Sequence, residues 1–271
     1  MRPSVAAPLA WEGMPEGDTI HYAANRIRPI LLGKVPDGLA TPHPRFRADR
    51  WPEKLAGRAV EGVEAHGKHL FLRFEADLTI HSHLRMTGSW GTYPEGARWR
   101  RSPHRAWLVL RKDDHVVVQF DGPVLDLMTG LRARVDQRIA ALGPDIIKDD
   151  FDEQVYLRRL REDDPTRPIG DALLDQRTLA GIGNLWKVEA CFAQAIDPWR
   201  PTGRISDEEA LGLVRWARPG MRDSAARGTQ TRYKRIYGTH GKPCPRCGAT
   251  IAQRGQWDDN RPTYWCPGCQ K

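Results

Sequence analysis

Four cysteines near the C-terminus constrain the fold more than any other feature of the chain. They form two Cys-x-x-Cys pairs, Cys244 with Cys247 and Cys266 with Cys269, separated by 18 residues. This spacing is typical of a zinc ribbon, in which each pair places two thiolates on a tight turn and a hairpin returns the second pair to the first. Two disulfides are the alternative, but no stretch resembles a secretory signal. We therefore predict one structural Zn²⁺ in a closed site without an open ligand position.

The excess positive charge of the chain is concentrated around these cysteines. Residues 221–271 contain ten Lys and Arg against three Asp, a net charge of +7, and the whole chain carries +8. Aromatic residues are interleaved with the basic ones: Tyr233, Tyr237, Trp257, Tyr264 and Trp265. A solvated basic face is the alternative, but basic and aromatic residues within one module are typical of a nucleic-acid contact surface. We expect the ribbon to bind nucleic acid.

The length and composition are those of an ordinary globular protein with two cores. The 271 residues are 40% hydrophobic and 28% charged, and no run of 18 apolar residues exists that would span a membrane. We therefore expect no membrane partner. The fifth cysteine, Cys191, lies in an apolar helical context and is predicted to be a buried free thiol, consistent with a reducing compartment.

The periodicity of apolar residues predicts an α+β fold. An amphipathic helix, capped by Asp18, begins near Ile20, and residues 57–128 then alternate with period two, as in an antiparallel sandwich. The predicted strands are residues 59–64, 68–74, 77–83, 106–112 and 116–120. Residues 142–145 read as a linker, and the predicted helices that follow are residues 151–161, 169–180, 185–192 and 206–218, the last with Ser206 and Glu209 as a capping box.

A glycine turn at residues 180–185 delivers Asn184 to the start of a helix. Exposed amides at a helix N-terminus form a ready phosphate site, whereas Asn is also a preferred N-cap without any ligand. The turn by itself leaves both interpretations open.

Six short motifs occur in an order that identifies a family. They are Met14-Pro15-Glu16-Gly17, Gly67-Lys68-His69-Leu70, His83-Leu84-Arg85-Met86-Thr87-Gly88-Ser89, Leu142-Gly143-Pro144-Asp145, Leu173-Leu174-Asp175-Gln176 with the glycine turn, and Ile236-Tyr237-Gly238 before the cysteines. From Met14 onward the chain resembles the formamidopyrimidine-DNA glycosylase/endonuclease VIII family, and the endonuclease VIII branch most closely. The resemblance implies a catalytic β-sandwich (14–145), a helix-two-turns-helix domain (146–235) and a zinc finger (236–271).

The resemblance also implies an activity, a DNA glycosylase and AP lyase of base-excision repair, and roles for single residues. Pro15 matches the N-terminal proline whose amine displaces the damaged base, and Glu16 matches the acid/base beside it. Lys68 matches a strand lysine that reaches phosphate at the damaged nucleotide. Asn184 and Arg261 match phosphate-gripping residues, and Met86 matches a residue that enters the gap left by the extruded base. We accordingly expect damaged DNA as the partner, a monomer, and a cytoplasmic, nucleoid-associated location of bacterial type.

Three departures from the family pattern limit this transfer. Thr19 stands where many relatives carry a second active-site glutamate, and no Arg-Phe pair is found between Gln119 and Val124. The segment 228–236 is short where purine-directed relatives carry a long loop over the extruded base. The short segment favours oxidised pyrimidines over 8-oxoguanine as substrates.

Residues 1–13 are the most serious departure, because a proline inside a peptide bond has no lone pair with which to attack. We expect these residues to be a tag or part of a mis-assigned start, with Met14 as the true initiator. The alternative function is a non-catalytic zinc-ribbon protein that binds DNA, with an RNA-binding protein as a third hypothesis. Neither accounts for Pro15, Glu16 and Lys68, which match one chemistry.

Overall fold

The N-terminal half forms two antiparallel sheets and a helix around one core. The computed structural model describes residues 15–46, 48–256 and 260–271. The elements in chain order are α1 (Gly17–Leu31), β1 (Gly38–Ala40), α2 (Trp51–Leu55), β2 (Val60–His66), β3 (His69–Phe74), β4 (Leu78–His83), β5 (Ser89–Pro94), β6 (Ala106–Lys112), β7 (His115–Phe120) and β8 (Val124–Thr129). One sheet has the order β2-β3-β4-β8 and the other β1-β6-β7-β5. The predicted sandwich with a long helix is confirmed.

Helix α1 is buried along one face because its apolar residues recur at helical spacing. Ile20, Ala24, Ile27 and Leu31 are each at most 1% exposed and pack with Leu70, Leu72 and Ile80 from β3 and β4. The predicted role of Asp18 as the helix cap is wrong. The N-cap position is Glu16, and Asp18 lies inside the first turn, where its carboxylate accepts a hydrogen bond from Ser224 in the second half of the chain.

The second half is helical, as predicted, and ends in a two-stranded hairpin. Its elements are α3 (Gly130–Val135), α4 (Gln137–Ala140), α5 (Glu153–Glu162), α6 (Ile169–Leu174), α7 (Asn184–Ala193), α8 (Asp207–Arg227), β9 (Ala252–Gln256) and β10 (Arg261–Trp265). The capping box is present: Ser206 N–H donates to Glu209 Oε2 at 2.8 Å, and Glu209 N–H donates to Ser206 Oγ at 3.2 Å. No helix within the described ranges is long and apolar enough to cross a membrane.

Two predicted helices have other lengths in the structure. Helix α6 stops at Leu174 because the Asp175 side chain accepts the Arg177 N–H at 2.9 Å and bends the chain. Helix α8 continues nine residues beyond the predicted end at Arg218, through Pro219. The continuation is stabilised by packing, since a Cβ at Gly220 would lie 2.8 Å from the Trp186 ring and Met221 is fully buried.

Candidate active site

The Glu16 carboxylate lies at the N-terminus of helix α7. Its Oε1 accepts the Leu185 N–H at 2.8 Å, and its Oε2 lies 3.5 Å from the Trp186 nitrogen. The side chain is 2% exposed. Free amides and the helix dipole at an N-terminus favour a negative charge, so the turn before α7 is a natural place for this carboxylate. The sequence predicted that amides at this helix start could bind phosphate. In the structure, the Leu185 and Trp186 amides face the Glu16 carboxylate.

Glycines let the start of α1 approach the turn before α7. The Gly17 N–H donates to Gly181 O at 2.8 Å, and a Cβ on Gly17 would lie 2.6 Å from the Gly181 Cα. A Cβ on Gly183 would lie 2.2 Å from the Glu16 Cδ. Side chains at these positions would separate the two domains at the site, so the glycine turn is required for Glu16 to reach α7.

Burial makes Glu16 an acid suited to neutral pH. Desolvation raises the pKa of Glu16 to about 7; the charge of Lys68 opposes the shift and that of Asp18 adds to it. Asp18 is also fully buried, and desolvation raises its pKa to about 6 although Ser224 Oγ and Gln230 Nε2 donate to it at 2.6 and 3.0 Å. A carboxyl group that is partly protonated near neutral pH can donate and accept protons in one reaction.

Lys68 lies in the turn before β3, beside Glu16, and is 9% exposed. The turn is fixed by Asp145 of the linker. Asp145 Oδ2 accepts the Gly67 N–H at 2.8 Å and lies 2.7 Å from His21 Nε2 of α1. Lys68 therefore lies at a corner that Asp145 ties to both the β2–β3 turn and α1.

Pro15 and Met86 line one cleft between α1 and β5. The walls of the cleft include Tyr22 from α1, Trp90 from β5, and Gly228 at the end of α8. Met86 is 62% exposed, so it is not a core residue, although methionines usually are. The structure thus brings the proposed nucleophile and the proposed gap-filling residue to the same opening.

The zinc hairpin is fastened to the first turns of α7. Asn184 is fully buried, and its Nδ2 donates to the Pro262 carbonyl at 2.8 Å. The buried Lys187 amine donates to Gln256 Oε1 at 2.9 Å and to Thr263 Oγ1. Both contacts flank Arg261, whose cross-strand partner is Gln256. Asn184 therefore lies beneath the hairpin that carries Arg261; it holds the hairpin in place and does not face solvent.

The four predicted metal ligands converge. All four Sγ atoms lie within 4.8 Å of one another; Cys244 and Cys269 are 3.9 Å apart, and Cys247 and Cys266 are 3.4 Å apart. Thiolates around a tetrahedral Zn²⁺ at 2.3 Å are roughly 3.8 Å apart, so the cluster fits one ion. Cys191 is buried and free, as predicted. Trp257, which the sequence assigned to the contact surface, lies outside the described residues.

Three family models match consecutive parts of the chain. They are the formamidopyrimidine-DNA glycosylase N-terminal domain over residues 14–138, the formamidopyrimidine-DNA glycosylase H2TH domain over residues 142–234, and the zinc finger found in FPG and IleRS over residues 241–271. A probable endonuclease 8 2 of Streptomyces coelicolor is 41% identical over 95% of this chain and 94% of the relative. The chain belongs to the formamidopyrimidine-DNA glycosylase/endonuclease VIII family.

Other members of the family cover the chain to the same extent. The DNA-(apurinic or apyrimidinic site) lyase Nei2 of Mycolicibacterium smegmatis is 36% identical over 95% of this chain and 99% of the relative. In fold, the chain is similar to Lactococcus lactis formamidopyrimidine DNA glycosylase bound to DNA that contains an AP site. That match has a TM-score of 0.79 and 23% identity, and it covers 94% of this chain and 99% of the other.

The structure shows what this family member has at two of the departures from the family pattern. Thr19 is buried, and its Oγ1 donates to the Glu16 carbonyl at 2.5 Å. The turn between β7 and β8 contains Asp121 in place of an Arg-Phe pair, and Asp121 Oδ2 pairs with Arg101 and Arg105 at 2.8 and 2.7 Å. Neither departure removes Pro15, Glu16 or Lys68 from the site.

Sequence reasoning missed four residues that position this site. Asp18, Asp145 and Lys187 are each fixed by partners far along the chain, namely Ser224, Gly67 and Gln256. The fourth, Gln176, acts locally: its Oε1 accepts the Gly181 N–H at 3.0 Å. Asp145 and Gln176 stand in two of the family motifs, and Lys187, between Trp186 and Val188, is a polar residue within an apolar helical pattern. This pattern marks a buried polar group, but it does not identify the partner.

Replacing one zinc ligand is expected to abolish DNA binding without unfolding the sandwich. The ribbon core, which includes Val188, Ile251 and Cys266, shares no residue with the sandwich core, and ribbon folding is coupled to metal. Cys247→Ala should lose zinc and DNA affinity but keep slow hydrogen exchange in β3 and β4. Cys191→Ala, which removes a thiol that is not a ligand, is the control and should retain one zinc per chain. Wild-type protein that lacks metal after purification without chelator would refute the zinc assignment.

Proposed function

We propose that this protein removes oxidised pyrimidines from DNA and cleaves the strand through a Schiff base on the amine of Pro15. The enzyme class is that of its family, a base-excision DNA glycosylase with AP lyase activity, and damaged DNA is its partner. One observation carries the proposal. Pro15 lines an open cleft and directly precedes Glu16, a buried carboxyl group with a pKa of about 7 beside Lys68.

The chemistry requires a neutral secondary amine and a nearby acid. The Pro15 nitrogen forms a bond to the anomeric carbon, the base departs, and Glu16 protonates the sugar oxygen as the ring opens. The resulting iminium makes the adjacent sugar proton acidic. The Glu16 carboxylate, deprotonated in the previous step, takes that proton as the C3′–O bond breaks and the 3′ phosphate leaves. A terminal amine has a pKa of about 8, so a useful neutral fraction exists at physiological pH.

In this proposal, residues of both domains bind the DNA backbone. Lys68 projects from the sandwich, and Arg261 lies on the zinc hairpin that Asn184 and Lys187 hold against α7. A guanidinium fork suits phosphate oxygens. All of these groups come from one chain, which supports action as a monomer. A non-catalytic zinc-ribbon protein has no need of the Pro15, Glu16 and Lys68 arrangement, so that alternative is not favoured.

The preference for pyrimidines is supported by the segment after α8. Gly228 ends α8 with φ of 71°, and residues Gln230–Tyr233 form a 3-10 helix folded back on α1, with Gln230 buried against Asp18. Little chain remains to cover a base that leaves the stack. Tyr22 and Trp90 in the cleft offer aromatic faces against which a small base can pack.

Single-turnover assays are expected to show faster excision of thymine glycol or 5-hydroxyuracil than of 8-oxoguanine paired with cytosine. An extruded purine needs a larger covering loop than a pyrimidine does, and the segment 228–236 is too short to supply one. Duplexes should share one sequence and differ only at the lesion. Glu16→Gln protein prepared in the same way controls for contaminating glycosylases. The reverse order of rates would overturn the pyrimidine preference while leaving the enzyme class intact.

Arg261→Ala should weaken binding to all duplexes and lower the slope of log affinity against log salt by about one, because the variant makes one phosphate contact fewer. Asn184→Ala should weaken binding with a smaller change in slope, since its Nδ2 bonds Pro262 and not DNA. Salt titrations on lesion and undamaged duplexes measure both effects. Arg158→Ala, on the exposed face of α5, is the charge-matched control. Wild-type affinity in either site variant at every salt concentration would disprove its role.

A further inference from the structure

A strongly basic segment lies beside the Met86 loop and has no role in the chemistry above. Residues 98–105, here named the arginine segment, join β5 to β6 and read Arg-Trp-Arg-Arg-Ser-Pro-His-Arg. The segment contains four arginines and no acid. Arg98, Arg100 and Arg105 are exposed and Arg101 is half-buried.

The arginine segment is held rigidly on the sandwich. Its Trp99 packs against Tyr93 and Phe120, with ring centroids 6.2 and 5.9 Å away. Arg101 donates to Asp121 Oδ2 at 2.8 Å, and Arg105 donates to the same oxygen at 2.7 Å. One carboxylate thus faces two guanidinium groups, and the surface remains positive.

The same contacts fasten the arginine segment to the Met86 loop, residues 84–88. Arg101 Nη1 donates to the Thr87 carbonyl at 2.6 Å, and Thr87 Oγ1 donates to the Asp121 carbonyl at 3.3 Å. Arg100 and Arg101 also line the cleft that Pro15 and Met86 share. An exposed methionine surrounded by arginines suits a nucleic-acid duplex, because the methionine can contact the stacked bases and the arginines can contact the phosphates of the backbones.

The Met86 loop connects this surface to the residues proposed to grip the damaged strand. Its first end follows His83, which pairs with His69 directly after Lys68. Burial first, and then the charges of Lys68, Arg85, His81 and Arg261, lower the pKa of His83 to about 4. The other end of the loop is Thr87, bonded to Arg101. Positive groups therefore stand at both ends of the loop.

We propose that the arginine segment binds phosphates of the strand opposite the lesion. The inference rests on the proposed entry of Met86 into the gap of the extruded nucleotide. A residue in that gap lies between the two strands, so basic groups at the two ends of its loop face different backbones. Lys68 and Arg261 meet the damaged strand, and the arginine segment meets its complement. The protein then prefers duplex over single-stranded substrates because only a duplex supplies the second backbone.

The test compares duplex and single-stranded DNA with the variant Arg98→Gln/Arg100→Gln, in chains that begin at Pro15. Because this variant removes two cations that bind phosphate, its salt slope on a duplex containing a tetrahydrofuran abasic analogue should be smaller by about two. The slope on the lesion strand alone should not change. Arg132→Gln/Arg134→Gln, two exposed arginines on α3, is the control and should match wild type on both DNAs.

Two outcomes would overturn the inference. An equal loss on the single strand would place the arginine segment on the damaged strand, and an unchanged duplex slope would remove it from DNA altogether. Borohydride trapping of wild type and variant on duplex abasic DNA, at protein concentrations that saturate both, keeps this test separate from the proposed function. Trapping that is equal in both proteins shows that the Pro15 chemistry is intact, whereas absent trapping in wild type would refute the chemistry and not the surface.

Discussion

Borohydride is expected to trap a covalent complex with abasic DNA when the chain begins at Pro15, and not when residues 1–13 and Met14 precede it. The nitrogen of an internal proline is a tertiary amide without an available lone pair, and no shift in pKa restores it. Translation from Met14 followed by removal of the initiator would give the free amine directly. Residues 1–14 lie outside the described residues, so this expectation rests on Pro15 and its chemistry.

The comparison needs two preparations, one starting at Met1 and one at Met14, each checked by intact mass. Trapping should follow the fraction of protein whose mass shows Pro15 exposed, and adding back one residue should abolish it. Pro15→Gly controls for the secondary amine and should trap poorly. Undiminished trapping by a chain that retains residues 1–13 would assign the chemistry to another amine. Lys68 is the first alternative, because it lies beside Glu16, whereas Lys187 is fully buried against Gln256 and Thr263.

The parts of the fold that the sequence predicted are those specified by local patterns. The cysteine spacing predicted the β9–β10 hairpin, and the alternation of apolar residues predicted β2, β3, β4, β6 and β7. Strands β1, β5 and β8 were missed. Strand β5 contains Gly91 and Pro94, and β8 carries Asp126 opposite His81. Strand β1 is stabilised by pairing with β6, β5 by pairing with β7, and β8 by pairing with β4, a tertiary effect that local propensity does not contain.

The site divides in the same way. Motifs identified Pro15, Glu16, Lys68 and the cysteines because these residues stand in short ordered strings. The environment of Glu16 could not be predicted, since it depends on α7, 169 residues further along the chain, and on the packing of Gly17 against Gly181. For Asn184, the position was predictable but the contacts of its side chain were not. Its position at the start of α7 was predicted, but only the hairpin of the folded protein shows that its amide is turned inward toward Pro262.

Glu16→Gln is expected to lower the excision rate by about 10² to 10⁴ without a comparable loss of DNA affinity. The amide oxygen can still accept the Leu185 N–H, so the geometry at α7 is kept while the transferable proton is lost.

For wild-type protein that begins at Pro15, a plot of the single-turnover rate against pH should be bell-shaped. The rate rises as the Pro15 amine loses its proton, with a pKa of about 8, and falls as the protonated form of Glu16 is lost. The Gln variant should lack the fall at high pH. Glu208→Gln, an exposed carboxylate on α8, is the control and should keep both flanks.

The same substitution should change stability in the opposite direction, which separates a chemical role from a structural one. The measurement uses the chain that retains residues 1–13, where the Pro15 nitrogen carries no charge. The pKa of Glu16 rises from 4.5 to about 7, chiefly through burial. The unfolded chain therefore releases this proton at a lower pH than the folded chain does. As the pH rises from 4.5 to about 7, wild type loses on the order of 3 kcal/mol of its free energy of unfolding. The Gln side chain of the Glu16→Gln variant does not titrate. In urea unfolding, the free energy of unfolding of the variant should therefore increase relative to that of wild type from pH 5 to pH 8. Lower stability of this variant than of wild type at pH 8 would show that Glu16 serves the packing at α7 and not the reaction. Excision of thymine glycol at the wild-type rate by Glu16→Gln protein that begins at Pro15 would show the same.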